Sequence, residues 1–150
     1  MTVTFCGHAD FCSSQEYEEK MLLFLEKYVG EKTAEMFLGG YGNFDLFAHY
    51  CCKKYKEKHP NVKLVLVIPY LCNDNDYKRQ EYQKYDSTIY PEIEDKPLRF
   101  AIVHRNRWMI KKSDLVVCAI SREWGGAYKS YKYAKKLNKK IINIIDGEIN

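Results

Sequence analysis

The chain has 150 residues, of which 46% are hydrophobic and 29% charged, values typical of one globular domain with its own core. Its net charge of +4 is small, so charge alone gives no reason to expect a nucleic-acid partner. No apolar run approaches the length of a membrane span, and the first run is interrupted by Gly7 and His8, so we expect neither a membrane anchor nor a signal peptide.

The cysteines and histidines show no disulfide or metal-binding pattern. None of the six cysteines forms a Cys-x-x-Cys pair, and Cys51 and Cys52 are adjacent, which favours neither a local disulfide nor a zinc knuckle. The four histidines lack the spacing of zinc ligands. We therefore expect reduced thiols, no metal, no bound cofactor and a cytoplasmic location for a single domain over residues 1–150.

The first part of the chain alternates strand and helix patterns. Residues 2–6 are a β-rich run, and the serines at residues 13–14 are candidate N-caps of a helix. Apolar residues then recur at helical spacing from about residue 17 to residue 28. Residues 34–38 predict a second strand, which ends in a Gly-Gly-Tyr-Gly turn at residues 39–42.

A second helix follows this turn, with Asn43 or Asp45 as its predicted cap. Residues 62–68 are almost continuously apolar, as expected for a strand that is covered on both faces. The polar, tyrosine-rich stretch at residues 71–97 is a long connection. It is either a lid over a ligand or a surface excursion over a sheet edge, and residues 76–85 have a helical pattern within it.

The last part of the chain continues the alternation. Residues 98–112 carry apolar residues at helical spacing and several basic residues, but no acid. Residues 115–120 predict a buried strand, a Trp-Gly-Gly turn at residues 124–126 opens a helix that ends near Leu137, and residues 140–145 predict the last strand. The alternation predicts an α/β fold, with a Rossmann-like, doubly wound, mostly parallel sheet in a three-layer α/β/α arrangement.

The carboxyl ends of the predicted strands carry the residues that indicate a ligand site, because doubly wound sheets bind ligands in the crevice outside these ends. Glycine turns let backbone N–H groups approach an anion, and the dipole of the following helix favours negative charge at the same place. The residues at this edge are Gly7 and His8, then Gly39, Gly40, Tyr41 and Gly42, then Pro69 and Tyr70, and finally Trp124, Gly125 and Gly126.

In their order and spacing, these motifs resemble the SLOG superfamily of Rossmann-like domains, which includes the DprA/Smf fold and the LOG phosphoribohydrolases. The pattern is similar to that of the small stand-alone members found in bacteria and phages. The resemblance covers nearly the whole chain, and it rests on residues 5–8, 39–45, 67–71, 105–109, 112–114, 124–129 and 134–136.

The resemblance implies a nucleotide or nucleotide-derived ligand, such as an NAD-derived or cyclic signalling nucleotide, held by a sensor or a sequestering module. It also implies a homodimer or a higher homo-oligomer. DprA-type relatives bind single-stranded DNA, but the basic and aromatic residues of this chain are scattered along the sequence and its net charge is small, so we expect no nucleic-acid partner. No membrane partner is expected either.

The LOG enzymes carry a Pro-Gly-Gly-x-Gly-Thr-x-x-Glu motif, and the resemblance places it on the turn that begins at Gly125. Tyr128 then stands at the third glycine, Lys129 at the threonine and Lys132 at the catalytic glutamate. A lysine does not stabilise the cationic transition state of N-glycoside cleavage. The departure favours binding over phosphoribohydrolase activity, and it leaves the question of an enzyme open.

The alternative function is N-glycosidase or ribosyl-transfer chemistry through Asp45 or Glu123. Several site residues also have structural explanations. Asp45 either contacts a ribose or stabilises a helix dipole. Arg105 either binds phosphate or forms a structural ion pair, because it lies on the apolar stripe of its helix. His8 either contacts phosphate or is bound to the backbone, and Trp124 either stacks on a base or packs at a helix start.

The sequence thus predicts a nucleotide-binding module whose phosphate lies on the two Gly-Gly turns. Lys129 is included because a lysine near a helix N-terminus is otherwise unfavourable and would gain from a bound anion. The predicted ligand-binding residues are Gly7, His8, Gly39, Gly40, Tyr41, Gly42, Asp45, Pro69, Tyr70, Arg105, Trp124, Gly125, Gly126 and Lys129.

Overall fold

The computed structural model describes residues 1–71 and 75–149. A short 3-10 turn at Leu98–Phe100 leads into the fourth helix. The strands are β1 (Thr2–Gly7), β2 (Ala34–Leu38), β3 (Val62–Val67), β4 (Ser87–Ile89), β5 (Leu115–Ala119), β6 (Lys140–Asn143) and β7 (Gly147–Ile149), and the helices are α1 (Gln15–Tyr28), α2 (Asn43–Lys58), α3 (Asp76–Tyr82), α4 (Ala101–Lys112) and α5 (Gly126–Lys136).

The strands form one sheet in the order β4-β3-β2-β1-β5-β6-β7. Every neighbouring pair from β4 to β6 is parallel, and only β7 runs antiparallel, against β6. The prediction of a doubly wound, mostly parallel sheet is confirmed. From β1 the chain first builds one half of the sheet through β4 and then returns to β5, so β1 and β5 are neighbours at the point where the strand order reverses.

Helices cover both faces of the sheet, because the strands are apolar on both sides. On one face, α1 and α2 pack through the larger core cluster, in which Phe44 is fully buried. On the other face, α4 and α5 contact each other and pack over β5 and β6 through Ile110 and Ala134. The predicted three-layer α/β/α arrangement is therefore present.

The first two helices begin differently. Ser14 caps α1 as predicted, because its hydroxyl accepts the Tyr17 N–H at 3.1 Å. The prediction of Asn43 or Asp45 as the cap of α2 is wrong: the cap position is Gly42, at φ +88°, and no side chain caps the helix. A glycine is required there because an added Cβ would lie 2.8 Å from Ala9 Cα.

The tyrosine-rich connection adds a strand to the sheet edge and a short helix beside it. The helical pattern near residues 76–85 is confirmed by α3. The strand pattern does not reveal β4 or β7, because each has only three residues. The Asp86 carboxylate fixes the start of β4, since it accepts the Leu64 N–H at 2.8 Å and pairs with Lys56 at 2.7 Å.

Five cysteines are free thiols, at positions 6, 12, 51, 52 and 118, and Cys72 lies outside the described residues. Burial raises the pKa of Cys51 to about 12, so this thiol stays protonated. None of the described helices is both long and apolar enough to cross a bilayer.

Candidate functional site

The crevice at the reversal point lies between the ends of β1 and β5. His8 follows β1, and its Nε2 accepts the Ser121 N–H at 3.3 Å, which joins the two strand ends. Burial and the nearby Arg122 guanidinium lower the pKa of His8, so the imidazole is neutral near pH 7. Of the two alternatives for His8, the structure therefore shows a backbone hydrogen bond, and the residue is almost fully buried.

The second glycine turn presents an open helix N-terminus to this crevice. Gly125 is the cap residue of α5, at φ +94°, and no side chain caps the helix. The first turn of α5 contains no acid, and an added Cβ on Gly125 or Gly126 would meet no atom within 4 Å. The amides that open α5 are therefore accessible to a ligand, and such amides attract anions.

Arg122 was not predicted as a site residue, yet it borders the same cavity. Its Nη1 donates to both carboxylate oxygens of Asp10, at 2.9 and 3.0 Å. The guanidinium also lies 4.0 Å from the ring centroid of Trp124, which is 65% exposed. The buried Nε of Arg122 has no partner among the described residues, so this cation keeps one unused donor. The sequence signal that could have pointed to Arg122 is Asp10, an acid three residues beyond the end of β1.

The first glycine turn is occupied by the protein's own side chains. The Asp45 carboxylate accepts the Tyr41 N–H at 2.8 Å. Arg105 Nη1 donates to the carbonyl oxygens of Gly39, at 2.9 Å, and Val67, at 2.7 Å. An added Cβ on Gly39 would lie 3.0 Å from the Asp45 carboxylate and 3.1 Å from the Arg105 guanidinium. This turn therefore offers less room to an anion than the open end of α5.

Two of the other predicted glycines have structural reasons of their own. Gly40 has φ +68°, and an added Cβ would lie 2.8 Å from Leu66 Cδ1. At Gly7, an added Cβ would lie 2.2 Å from the ring of the buried Phe44. These two glycines permit a backbone turn and a close packing contact, and neither needs a ligand to explain it.

Asp45 and Arg105 are coupled at the centre of the crevice. Burial raises the pKa of Asp45 to about 6, although the Tyr41 N–H and the charge of Arg105 act in the opposite direction. Burial lowers the pKa of Arg105, which is only 2% exposed, while Asp45 and Tyr70 act to raise it. The pair therefore provides a buried cation next to a carboxyl group that titrates near pH 6.

The crevice consists of two adjoining cavities. The first, of about 240 Å³, lies between the ends of β1 and β5 and the start of α5. The second, of about 170 Å³, lies against α3 and is lined mainly by aromatic and apolar side chains. Four residues border both cavities and separate them: Gly39, Tyr41, Ile102 and Arg105.

The structure brings most of the predicted residues into this crevice. Those along the first cavity are Gly7, His8, Gly39, Tyr41, Asp45, Arg105, Gly125 and Gly126. Gly40, Pro69 and Tyr70 border the second cavity. Gly42, Trp124 and Lys129 border neither, and the catalytic candidate Glu123 is an exposed residue outside both.

Several lining residues were missed because their contribution depends on the fold. Asn106 follows Arg105 and accepts its Nε–H at 2.8 Å. Ser130 lies one turn into α5. The tyrosines of the second cavity come from the connection whose role the sequence left open, and they are Tyr77, Tyr82 and Tyr85.

Comparison with known proteins gives one relative and several structural neighbours. No protein-family model matches the chain. The chain is 23% identical, over 137 residues, to YoqJ of Bacillus subtilis strain 168, an uncharacterised protein derived from the SPbeta prophage. That match covers 79% of this chain and 80% of YoqJ.

Three solved structures share the fold. DNA processing protein A (DprA) of Streptococcus pneumoniae has a TM-score of 0.67 at 20% identity, covering 95% of this chain and 49% of DprA. The Helicobacter pylori DprA has a TM-score of 0.61 at 16% identity, covering 95% and 64%. The protein TM1055 has a TM-score of 0.57 at 15% identity, covering 94% and 72%. The chain thus spans about half of the pneumococcal protein and less than two thirds of the Helicobacter one.

One sequence-based expectation is wrong. The chain was expected to have no nucleic-acid partner, but its fold is shared with the Helicobacter protein, whose structure was described for its single-stranded DNA binding mode. The fold therefore gives no reason to exclude nucleic acid. The resemblance drawn from the motifs is confirmed at the level of the fold by the DprA structures and TM1055. The chain thus has the Rossmann-like fold of the DprA proteins and TM1055, and it has a prophage-derived relative in YoqJ.

Proposed function

We propose that the chain binds a nucleotide or nucleotide-derived small molecule in the crevice, with a phosphate group on the N-terminus of α5. The observation that carries the proposal is the open, uncapped and acid-free start of this helix at the point where the strand order reverses. Backbone amides and the helix dipole at such a position favour an anion, and this is where doubly wound sheets bind nucleotides.

The second glycine turn is the better phosphate site of the two. At Gly125 and Gly126 an added Cβ meets open space, whereas the first turn already has Asp45 bound to the Tyr41 amide. Arg122 borders the same cavity and can donate to a phosphate oxygen. The proposal therefore keeps only one of the two predicted phosphate turns as the anion site.

The second cavity is the proposed place for the base. Its aromatic lining suits a flat heterocycle, since a ring stacks or packs edge-on against tyrosine. Tyr70 and Tyr77 are 42% and 67% exposed and border this cavity, so part of each side chain is accessible to solvent there. Asp45, which lines the first cavity beside the dividing residue Tyr41, is then placed to accept a hydrogen bond from a ribose hydroxyl.

Binding is the favoured activity because the residue at the position of the LOG glutamate is Lys132, which is exposed and lies 5.7 Å from the ring centroid of Tyr128. The enzymatic alternative through Asp45 has one supporting feature. A carboxyl group with a pKa of about 6 is suited to general acid–base catalysis near neutral pH.

Calorimetric titration of AMP, NAD and cyclic ADP-ribose isomers tests the proposal, with adenosine as the ligand that lacks phosphate. We expect AMP to bind about tenfold or more tightly than adenosine, because charge-assisted hydrogen bonds to phosphate are each worth about 1.5–3 kcal/mol. Gly126→Leu should weaken AMP binding by a similar factor, since its side chain enters the open space.

The matched control is Gln15→Leu, which places the same side chain on the exposed first residue of α1, a helix that is already capped by Ser14. Its affinity should equal that of the unmodified chain. No binding of any phosphorylated ligand, or unchanged affinity in Gly126→Leu, would refute the proposal. Release of free base that is lost in Asp45→Asn would show the enzyme instead.

A second candidate function, binding of single-stranded nucleic acid, is favoured by the surface formed by α4 and α5, called the α4–α5 face below. Neither helix contains an acidic residue. Tyrosines lie among the cations: Arg107 is 5.5 Å from the ring of Tyr133, and Lys135 is 5.5 Å from that of Tyr131. The exposed basic residues of this face are Arg107, Lys111, Lys112, Lys129, Lys132, Lys135 and Lys136. Basic residues combined with aromatic rings are the usual surface for single strands.

Fluorescence anisotropy with a labelled oligothymidine tests this candidate. The double variant Lys132→Glu, Lys135→Glu should bind more weakly, and log affinity should depend less steeply on log salt, by roughly 0.7 for each phosphate that the variant no longer neutralises. The control is Lys53→Glu, Lys58→Glu, which makes the same charge change on α2, in the other helical layer. An equal fall in affinity in both variants would show that only the net charge of the chain matters. That result would contradict binding at the α4–α5 face.

A further inference from the structure

Three potential metal-binding residues converge at the amino ends of the parallel strands, on the opposite side of the molecule from the crevice. His59 ends α2, just before β3, while Glu26 lies in the last turn of α1 and Glu31 follows that helix, just before β2. One nitrogen or carboxylate oxygen from each of the three lies within 4.8 Å of the others. The spacing of histidines in the sequence does not reveal this group, since its members come from the end of α1, the turn after it and the end of α2.

The imidazole of His59 is held in a defined orientation. Its ring stacks on Tyr55, with a centroid separation of 4.2 Å and an interplanar angle of 22°. The Tyr55 hydroxyl donates to the Gly30 carbonyl at 2.9 Å, which fixes the turn that carries Glu31. The Nε2 of His59 lies 2.7 Å from a carboxylate oxygen of Glu26, and the side chain is only 7% exposed. With Nε2–H donating to Glu26, the other nitrogen presents a lone pair.

That other nitrogen is unpaired in the structure. Nδ1 of His59 is buried and has no hydrogen-bond partner among the described residues. It faces a carboxylate oxygen of Glu31 at 3.6 Å, which is too long for a hydrogen bond. Two electron-pair donors therefore face each other across a gap. Two zinc–ligand bonds of about 2.0–2.2 Å span such a gap at an angle of roughly 120°.

We propose that His59 Nδ1 and the Glu31 carboxylate bind a divalent transition-metal ion of the zinc class, with Glu26 orienting the imidazole through Nε2. Imidazole and carboxylate suit such a cation, and a carboxylate behind the ligating histidine is the usual supporting contact. Water completes the coordination. The ion would connect the end of α1 to the end of α2, so it stabilises the fold and does not take part in the crevice.

The test uses the full chain without an affinity tag, titrated with Zn²⁺ by calorimetry and with Co²⁺ by absorption spectroscopy. We expect one Zn²⁺ per chain, a higher melting temperature with Zn²⁺, and a Co²⁺ spectrum without the intense thiolate band that cysteine ligation gives. Glu26→Gln should weaken Zn²⁺ binding by about 10- to 100-fold, the usual effect of losing the group that orients a metal-bound histidine.

Glu31→Gln should abolish the binding and the thermal shift, and it leaves the fold intact because Glu31 is 89% exposed. His59→Ala should do the same for binding. The control is Glu16→Gln, an exposed residue at the other end of α1, which should bind Zn²⁺ like the unmodified chain. Absence of Zn²⁺ binding, binding unchanged in Glu31→Gln, or a thiolate band with Co²⁺ would each overturn the proposal.

Discussion

Arg105 lies on α4, and its side chain connects the ends of β2 and β3. Its guanidinium donates to the carbonyl oxygens of Gly39, after β2, and Val67, at the end of β3. Both oxygens lie where the hydrogen bonds between the parallel strands end, so they need a donor from outside the sheet. The charge of the nearby Asp45 favours the ionised form of this buried side chain. The residue is thus part of the scaffold of the crevice, and it also forms the border between its two cavities.

Replacing Arg105 with methionine should lower the free energy of unfolding by about 2–4 kcal/mol, because two carbonyl oxygens lose their donor. Urea denaturation measures this decrease. The matched control is Arg107→Met on the same helix, where the guanidinium is exposed and the change should stay within about 0.5 kcal/mol. Equal stability in the two variants would show that the hydrogen bonds from Arg105 to these carbonyl oxygens contribute nothing.

Asp45 should make stability depend on pH in an unusual direction for an acid. Its pKa is raised from 3.8 to about 6 in the folded chain, so the folded state binds the proton more tightly than the unfolded state. This stabilisation is complete below pH 3.8 and is lost as pH rises through about 6. Relative to Asp45→Asn, the unmodified chain should lose up to about 3 kcal/mol over this range.

Urea denaturation of both chains at several pH values between these limits measures the difference. Effects of all other groups are shared by the two chains and cancel. Parallel curves for the free energy of unfolding against pH would contradict the raised pKa of Asp45.

At the scale of elements, the two Gly-Gly turns have the same sequence character and different surroundings. Both precede a helix whose cap is a glycine at positive φ, Gly42 for α2 and Gly125 for α5. The first turn is filled by Asp45 and Arg105, while the second faces open space. The sequence predicts both turns and their place after strands. It does not predict their occupancy, because Arg105 comes from a helix about 66 residues away from Gly39.

The packing of α2 against β1 depends on the missing side chain of Gly7. Gly7→Ala should destabilise the chain by about 1–3 kcal/mol, because the new methyl group overlaps the ring of the fully buried Phe44. Gly126→Ala is the control, since nothing lies within 4 Å of the added atom and stability should change by no more than about 0.5 kcal/mol. Thermal unfolding of both variants checks the pair. Greater destabilisation by Gly126→Ala would contradict the assignment of roles.

At the scale of the whole molecule, the alternation of strands and helices was sufficient to predict the parallel sheet. A strand such as β3 can be predicted from its long apolar run, because helices cover both of its faces. The edge strands β4 and β7 were not predicted, because each has only three residues. Tertiary interactions fix their positions, such as the hydrogen bond from the Leu64 amide to Asp86 at the start of β4. The same limit applies to the crevice, whose tyrosine-lined half comes from the long connection.

The molecule separates its proposed activities in space. The crevice lies at the carboxyl ends of the parallel strands, and the α4–α5 face covers one face of the sheet. The cluster of His59, Glu26 and Glu31 lies at the amino ends of the strands. Substitutions at His59, Glu26 or Glu31 should therefore leave ligand binding in the crevice and on the α4–α5 face unchanged, since distant sites usually contribute independently.

The central claim, an anion site at the start of α5, is tested most directly by NMR spectroscopy of the ¹⁵N-labelled chain during titration with AMP. The largest shifts should occur at the amides of Gly126, Ala127 and Tyr128, which open the helix, and adenosine should leave these signals in place. Largest shifts at residues 39–42 instead, equal shifts with adenosine, or no shifts in this turn would contradict the claim.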